Sequence, residues 1–284
     1  MNTMMLLEMA ASGFGDRVAV QSRDERLTYS ELFQAAGAAA TSVSGSGVER
    51  LALLDINSLA VPIGLFASGW AGLPFVPLNY RLTGAELDAL LDRIAPAMLI
   101  TDAERAAGLS GRPGIEVIER DRFIAEARSG QSREAEWPMD PDAIALLLFT
   151  SGTTGAPKAA VLRHKHLVSY IFGSVEFGSA AETDAALVSV PPYHIAGMAA
   201  VLSSVYAGRR IVQLPSFSAE EWLETARREK VTNAFVVPTM LARIVDVLEG
   251  AASAELPSLR ALSYGGGKMP QPVIERAMAL FPDT

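Results

Sequence analysis

The strongest constraint on the fold is a regular alternation of short apolar segments with longer segments of helical periodicity. Residues 51–56, 73–78 and 97–101 have the length and composition of strands, and segments with helical spacing lie between them. Strands that alternate with helices favour parallel pairing, because each helix returns the chain to the start of the next strand. We therefore predict an α/β fold with two mostly parallel sheets that are flanked by helices.

The first strands are predicted to form a hairpin, with residues 17–21 and 26–29 on either side of a charged turn. Thr28 and Thr83 are each followed three positions later by a glutamate, which is the spacing of a capping box at a helix start. Each is therefore predicted to begin a helix. The further predicted strands are residues 115–119, 144–150, 186–190, 210–214, 233–237 and 260–264.

A polar segment suggests an internal boundary in the chain. Residues 128–141 lack periodicity and directly precede the most apolar predicted strand, which begins at Ile144. We predict a first α/β subdomain over residues 1–137 and a second over residues 138–284 that begins with this strand.

Charge and composition exclude several classes of protein. The 24 Lys and Arg residues are outnumbered by 32 Asp and Glu, so a role in coating nucleic acid is disfavoured. The chain has no cysteine, which excludes disulfides and thiolate chemistry and favours a cytoplasmic location. The uncharged segments 56–80 and 185–208 contain prolines and glycines and are explained better by buried helices and strands, so no transmembrane segment is predicted.

The segment that carries chemistry is FTSGTTGAPK, residues 149–158, in which a strand runs into a loop rich in hydroxyls and glycine. Glycines let several backbone N–H groups converge on an anion, while hydroxyls and a lysine add donors and positive charge. The loop is not the P-loop of nucleotide triphosphatases, because Lys158 is followed by Ala159 instead of Ser or Thr. The predicted phosphate-binding residues are Thr150, Ser151, Gly152, Thr153, Thr154, Gly155 and Lys158.

This loop resembles the signature of the adenylate-forming superfamily, in particular its acyl- and aryl-CoA synthetases. Four further segments agree with that family in order and spacing, so the resemblance covers essentially the whole chain. They are NYRL at residues 79–82, VPPYHIAG at 190–197, VVPTML at 236–241 and YGGGKMP at 264–270.

The resemblance implies that a carboxylate attacks the α-phosphate of ATP to give acyl-AMP, and that the thiol of CoA then displaces AMP. It implies ATP, Mg²⁺ and CoA as cofactors or co-substrates and a fatty or aromatic acid as substrate, although the sequence leaves the particular acid and the acceptor thiol open. Lys158 and Thr153 are the implied catalytic residues. The glycine turn Gly265, Gly266 and Gly267 is expected to contact adenine, and His194, Gly266 and Gly267 are expected to line the substrate pocket.

Two departures from the family pattern matter. The glycine that usually follows the motif lysine is Ala159 here. The family's next motif, Tyr-Gly-x-Thr-Glu, would lie just beyond residue 284, as would the ribose-binding Asp and the lid domain with its adenylation lysine. We therefore expect the N-terminal portion of such an enzyme, which an exposed apolar face would let form a homodimer. The alternative is a non-catalytic nucleotide- or acyl-binding module, or a fragment that is inactive alone.

His164 and His166 form a further candidate site. Two histidines at positions i and i+2 of a helix face different directions, so no metal site is predicted for them. A helix start with two exposed imidazoles is expected instead.

The first testable prediction concerns the phosphate loop in the complete enzyme. We expect Lys158→Ala and Thr153→Ala each to reduce acid-dependent ATP–pyrophosphate exchange by about tenfold or more, because each removes a donor to developing phosphate charge. Unchanged exchange in both variants would contradict the assignment of this loop.

The second prediction concerns the 284-residue polypeptide by itself. Several groups that stabilise transition-state charge are absent from it, and loss of one such donor alone commonly costs about 10²–10³ in rate. We expect no detectable acyl-AMP, as measured by pyrophosphate exchange with a panel of fatty and aryl acids. Robust exchange would mean that the missing groups are supplied from within this sequence.

Overall fold

The computed structural model describes residues 1–132, 135–150 and 158–284. Within these residues the chain forms two six-stranded sheets and eleven helices. The predicted α/β fold with two helix-flanked, mostly parallel sheets is therefore confirmed.

The first sheet, sheet A, joins the start of the chain to its second half. Neighbouring strands are parallel except for β2, which pairs antiparallel with β1 through the predicted hairpin. In spatial order the strands are β12 (Ala261–Tyr264), β11 (Asn233–Val236), β9 (Ala185–Val188), β10 (Arg210–Gln213), β1 (Val18–Ser22) and β2 (Glu25–Thr28).

The second sheet, sheet B, is built from strands β3 to β8, which lie in the sequence between β2 and β9. Its neighbouring strands are parallel except at one edge, where β8 runs antiparallel to β7. In spatial order they are β6 (Ile115–Glu119), β5 (Ala97–Thr101), β3 (Leu51–Leu54), β4 (Phe75–Pro77), β7 (Ile144–Thr150) and β8 (Lys158–Arg163).

The helices fill the space between the sheets and cover their outer faces. They are α1 (Met4–Phe14), α2 (Tyr29–Gly45), α3 (Ala60–Ala71), α4 (Gly84–Ile94), α5 (Ala103–Leu109), α6 (Arg120–Ser129), α7 (His164–Ser174), α8 (Ile195–Ala207), α9 (Ala219–Arg228), α10 (Pro238–Val247) and α11 (Gln271–Leu280). No helix in the described part of the chain is long and apolar enough to cross a membrane.

Alternation along the buried strands divides the core into three clusters. In β3, Leu51 and Leu53 belong to the central cluster with α1, α2, α3 and α8, whereas Ala52 and Leu54 face α4 in another cluster. The third cluster lies on sheet A, where α9, α10 and α11 pack around Trp222 and Ile244. Successive side chains of a strand point to opposite faces, so both faces of each sheet are covered.

The predicted boundary at residue 137 does not coincide with the division between the sheets. Strands β1 and β2 pair with the strands of residues 185–264, while β7 and β8 extend the sheet formed by residues 51–119. Both sheets thus draw strands from both sides of this boundary, and the division into two subdomains stays a prediction.

One of the two predicted capping boxes forms. At α2 the Thr28 hydroxyl accepts a hydrogen bond from the Glu31 N–H at 3.2 Å, and the Glu31 carboxylate accepts one from the Thr28 N–H at 2.7 Å. At α4 the prediction is wrong, because the Thr83 side chain makes no capping hydrogen bond. Gly84 has a φ of +55°, outside the helical region, so the first turn lacks the geometry that a capping box requires.

His164 corrects the expectation of an exposed imidazole, since only 2% of the residue is exposed. Its Nδ1 accepts a hydrogen bond from the Thr3 N–H at 3.2 Å, and the Thr3 hydroxyl lies at the same distance. Thr3 is the residue that precedes α1, so the ring satisfies a donor at the start of that helix. His166 is exposed, as predicted.

The buried ring generates a prediction about pH. Burial lowers the pKa of His164 from 6.5 to about 4, so between these values the unfolded chain binds the extra proton. The stability from the neutral ring is complete above the unfolded pKa and is lost as the pH falls toward 4. Between about pH 7 and pH 5 we expect this residue to reduce the free energy of unfolding by about 2 kcal/mol.

Urea unfolding at both pH values measures this contribution. His164→Asn keeps an oxygen acceptor near Thr3 but does not titrate. Its free energy of unfolding should therefore fall less between pH 7 and pH 5 than that of the wild type, by about 2 kcal/mol. His166→Asn is the matched control and should retain it. Equal pH dependence in wild type and His164→Asn would contradict the assignment.

Candidate functional site

The candidate site lies where the chain changes direction across sheet A. From β9 the chain moves to β10 on one side, and β10 is followed by β11 on the other side of β9. The segments that leave β9 and β11 at their carboxyl ends therefore diverge. In open α/β sheets such a switch point is the usual place for a ligand.

A cavity of about 750 Å³ opens there between one face of sheet A and the helices α7 and α8. The register of β9, β11 and β12 arranges its sheet wall in three rows, because Asn233 pairs with both Ala186 and Ala261. The first row is Ala186, Asn233 and Ala261; the second is Val188, Phe235 and Ser263; the third is Val190, Val237 and Gly265. The opposite wall includes Leu167, Tyr170, Ile195, Ala199 and Ser203.

The predicted glycine turn forms part of the cavity mouth. The Gly265 N–H donates to the Val236 carbonyl at 3.3 Å, and Gly266 follows with a φ of +83°, which strongly favours glycine. A Cβ at Gly265 would lie 3.1 Å from the Phe235 ring, so its small size keeps this wall open. Gly267 is not among the lining residues and lies beside Pro238.

His194 stands at the same mouth, directly before α8. Its ring lies 4.5 Å from that of Tyr193, centroid to centroid, and it also borders a smaller cavity of about 280 Å³ that includes Arg81. Partial burial, aided by the positive charge of Arg81, lowers the pKa of His194. The structure thus brings His194, Gly265 and Gly266 to one cavity.

Most of the predicted phosphate loop lies outside the residues that the structure describes. Ser151, Gly152, Thr153, Thr154 and Gly155 lie outside the described residues, and their role stays a prediction. The two ends of the loop are described, since Thr150 in β7 pairs with Lys158 in the antiparallel strand β8. Lys158 is exposed there.

No metal centre is found among the described residues. Within residues 1–132, 135–150 and 158–284 no three Asp, Glu or His side chains come close enough to hold an ion. His164 binds Thr3, as described above, and His166 accepts from the Arg163 N–H at 3.2 Å through its Nδ1.

Sequence reasoning missed Arg209, which is the permanently charged residue among the described residues that line the cavity. It lies just before β10, at the end of the sheet opposite the glycine turn. The available signal was its position, since it ends the uncharged segment 185–208 and directly precedes a buried strand.

The chain belongs to the AMP-binding enzyme family, whose model matches residues 7–284. It is 32% identical to feruloyl-CoA synthase from an Amycolatopsis species over 262 residues, which are 91% of this chain and 53% of that protein. It is also 32% identical to 2-succinylbenzoate–CoA ligase from Bacillus licheniformis over 267 residues, or 92% and 54% of the two chains. The chain thus spans about half the length of these curated relatives.

Solved structures agree with this assignment. The structure of o-succinylbenzoate CoA synthetase from Bacillus subtilis in complex with its acyl-adenylate intermediate matches with a TM-score of 0.80 at 29% identity, over 96% of this chain and 55% of that one. The N-terminal domain of FACL13 from Mycobacterium tuberculosis has the same fold, with a TM-score of 0.83 at 24% identity over 98% and 73% of the two chains.

Proposed function

We propose that the protein containing this chain activates a fatty or aromatic carboxylic acid with ATP and transfers the acyl group to the thiol of CoA. The observation that carries this proposal is the cavity whose mouth is formed by the glycine turn and His194. Family membership and the two curated relatives, both named for CoA thioester formation, support it.

In the first step a carboxylate oxygen forms a bond to the α-phosphorus of ATP, and the bond to pyrophosphate breaks. This step needs two anions held in line, which favours a site that orients the acid and neutralises phosphate charge. We assign the phosphates to the loop that ends at Lys158. The acid would lie in the cavity with its carboxylate at Gly265 and Gly266.

In the second step the sulfur of the thiol attacks the acyl carbon, and AMP leaves with the pair of electrons of the broken bond. The apolar walls would shield the acyl group from water during both steps and so limit hydrolysis of the mixed anhydride. His194, an uncharged ring beside the mouth, would position the acyl carbonyl or close the entrance.

Three finer assignments belong to the same proposal. Mg²⁺ is proposed to accompany ATP, and the described residues supply no group of three Asp, Glu or His side chains that would hold it. A cytoplasmic location is proposed because a chain without cysteine needs no oxidising compartment. A homodimer is proposed because large apolar side chains such as Tyr170, Tyr264 and Met278 are exposed.

Filling the cavity tests the proposed binding mode without requiring turnover. Ala199 lies in α8 between Ile195 and Ser203, and all three line the cavity. We expect Ala199→Phe to weaken binding of an aroyl-sulfamoyl adenosine, a stable mimic of acyl-AMP, by about tenfold or more, because the added ring occupies the acyl site. Isothermal titration of the 284-residue chain measures the effect.

Ala107→Phe is the matched control, since Ala107 is exposed in α5 and does not line the cavity. This control should bind the mimic like the wild type. Tight binding by Ala199→Phe, or failure of the wild type to bind any acyl-AMP mimic, would contradict the proposal. Binding without pyrophosphate exchange in the complete enzyme would instead favour a non-catalytic module.

A further inference from the structure

The cavity carries an unbalanced positive charge at the end away from its mouth. Arg209 borders it there, and no Asp or Glu side chain is among the described residues that line it. The Arg209 side chain makes no hydrogen bond or ion pair with any described residue, and its Nε is buried without a partner. A buried donor without a partner costs stability, so such a group calls for an acceptor.

Neighbouring residues do not supply that acceptor. Asp184 is the carboxylate whose charge acts on Arg209, but its side chain is already hydrogen-bonded to Arg260. Burial lowers the pKa of the Arg209 guanidinium, which is the direction expected for a cation removed from water. The guanidinium remains positive at neutral pH in any case.

The backbone of Arg209, in contrast, is firmly held. Its N–H donates to the Ser204 carbonyl at 2.9 Å, and its carbonyl accepts a hydrogen bond from the buried hydroxyl of Tyr29 at 2.9 Å. These bonds fix the start of the side chain at the cavity wall. The positive charge is therefore presented by a fixed backbone and not by a loose surface segment.

The three rows of the sheet wall set the distance between Arg209 and the mouth. Asn233 in the first row and Val237 in the third are four residues apart along β11, which corresponds to about 13 Å of strand. Arg209 is adjacent to Arg210, which pairs with Ala185, the residue before the first row. If one end of a ligand is bound at the glycine turn, only the other end of the ligand can contact the Arg209 guanidinium.

From this arrangement we infer that Arg209 selects acids whose far end carries a second carboxylate, so that the preferred substrates are dicarboxylic acids. This inference rests on the proposed function and names the substrate class of the same cavity. A carboxylate can accept two parallel hydrogen bonds from a guanidinium, and such a pair is strong when it is shielded from water. An apolar acid would leave the charge without a partner.

The test compares acids of equal length that differ only at the far end. Hexanedioic to dodecanedioic acids, each paired with the monocarboxylic acid of the same carbon number, are titrated into the purified 284-residue chain. We expect the best dicarboxylic acid to bind at least about tenfold more tightly than its monocarboxylic partner. Arg209→Met, which removes the charge at similar volume, should abolish this preference, because the second carboxylate then loses its partner.

Two further variants test whether the preference for dicarboxylic acids depends on the charge at position 209 or only on the net charge of the chain. Arg228→Met removes an exposed arginine of α9 and should retain the full preference. Arg209→Lys should retain part of it, because an ammonium group offers a point charge without the two parallel donors. The thermal midpoint of Arg209→Met should not fall below that of the wild type, since the guanidinium has no partner to lose.

The outcomes distinguish this inference from the proposed function. Equal binding of both acid classes by the wild type, or a preference that survives in Arg209→Met, overturns the role of Arg209 and leaves carboxylate activation standing. Failure of every acid and of the acyl-AMP mimic to bind overturns both. If Arg209→Met does not fold, the wild-type preference and its loss in Arg209→Gln decide the question.

Discussion

The parallel pairing of β1 with β10 is the contact on which the cavity depends. It joins the first strands of the chain to a sheet whose other members come from residues 185–264. The helix that follows the hairpin begins with Tyr29, which is completely buried and donates to the carbonyls of Ser204 and Arg209. The N-terminal segment thus fixes the closed end of a site whose mouth is formed by the last strands.

The chemical character of the cavity follows from the same geometry. The carboxyl ends of the parallel strands place backbone groups around the mouth, where the phosphate and carboxylate groups of the proposed ligands would bind. The side chains along the strands form apolar walls. In such walls the effective dielectric constant is low, so a single guanidinium has far more influence on ligand choice than it would on the surface. One residue can therefore dominate discrimination between acids of similar shape.

Much of the fold and part of the site could be predicted from the sequence, for identifiable reasons. Strands β5, β6 and β7 have the predicted bounds: β5 and β7 are apolar runs, and Pro96 and Gly114 directly precede β5 and β6. The glycine turn and His194 were found through local motifs. Long-range pairing was not predictable in this way, because nothing near His164 indicates that its ring meets Thr3. At Arg209 the local sequence marks an arginine at the end of an uncharged segment, but it does not show which residues of other elements form the cavity with it. The Thr83 capping box failed because a glycine between its two partners took a backbone conformation that the spacing alone does not reveal.

The bond between Thr3 and His164 has a consequence for the order in which the chain is made. On a ribosome the start of α1 emerges before the acceptor for its N–H, because His164 lies 161 residues further along the chain. The neighbours of α1 also arrive at different times: α2 and α3 are made before His164, whereas α8, which packs on the same helix, follows it. The packing of α1 is therefore completed only after α7 and α8 have been synthesised, so part of its apolar surface stays exposed in the growing chain until then.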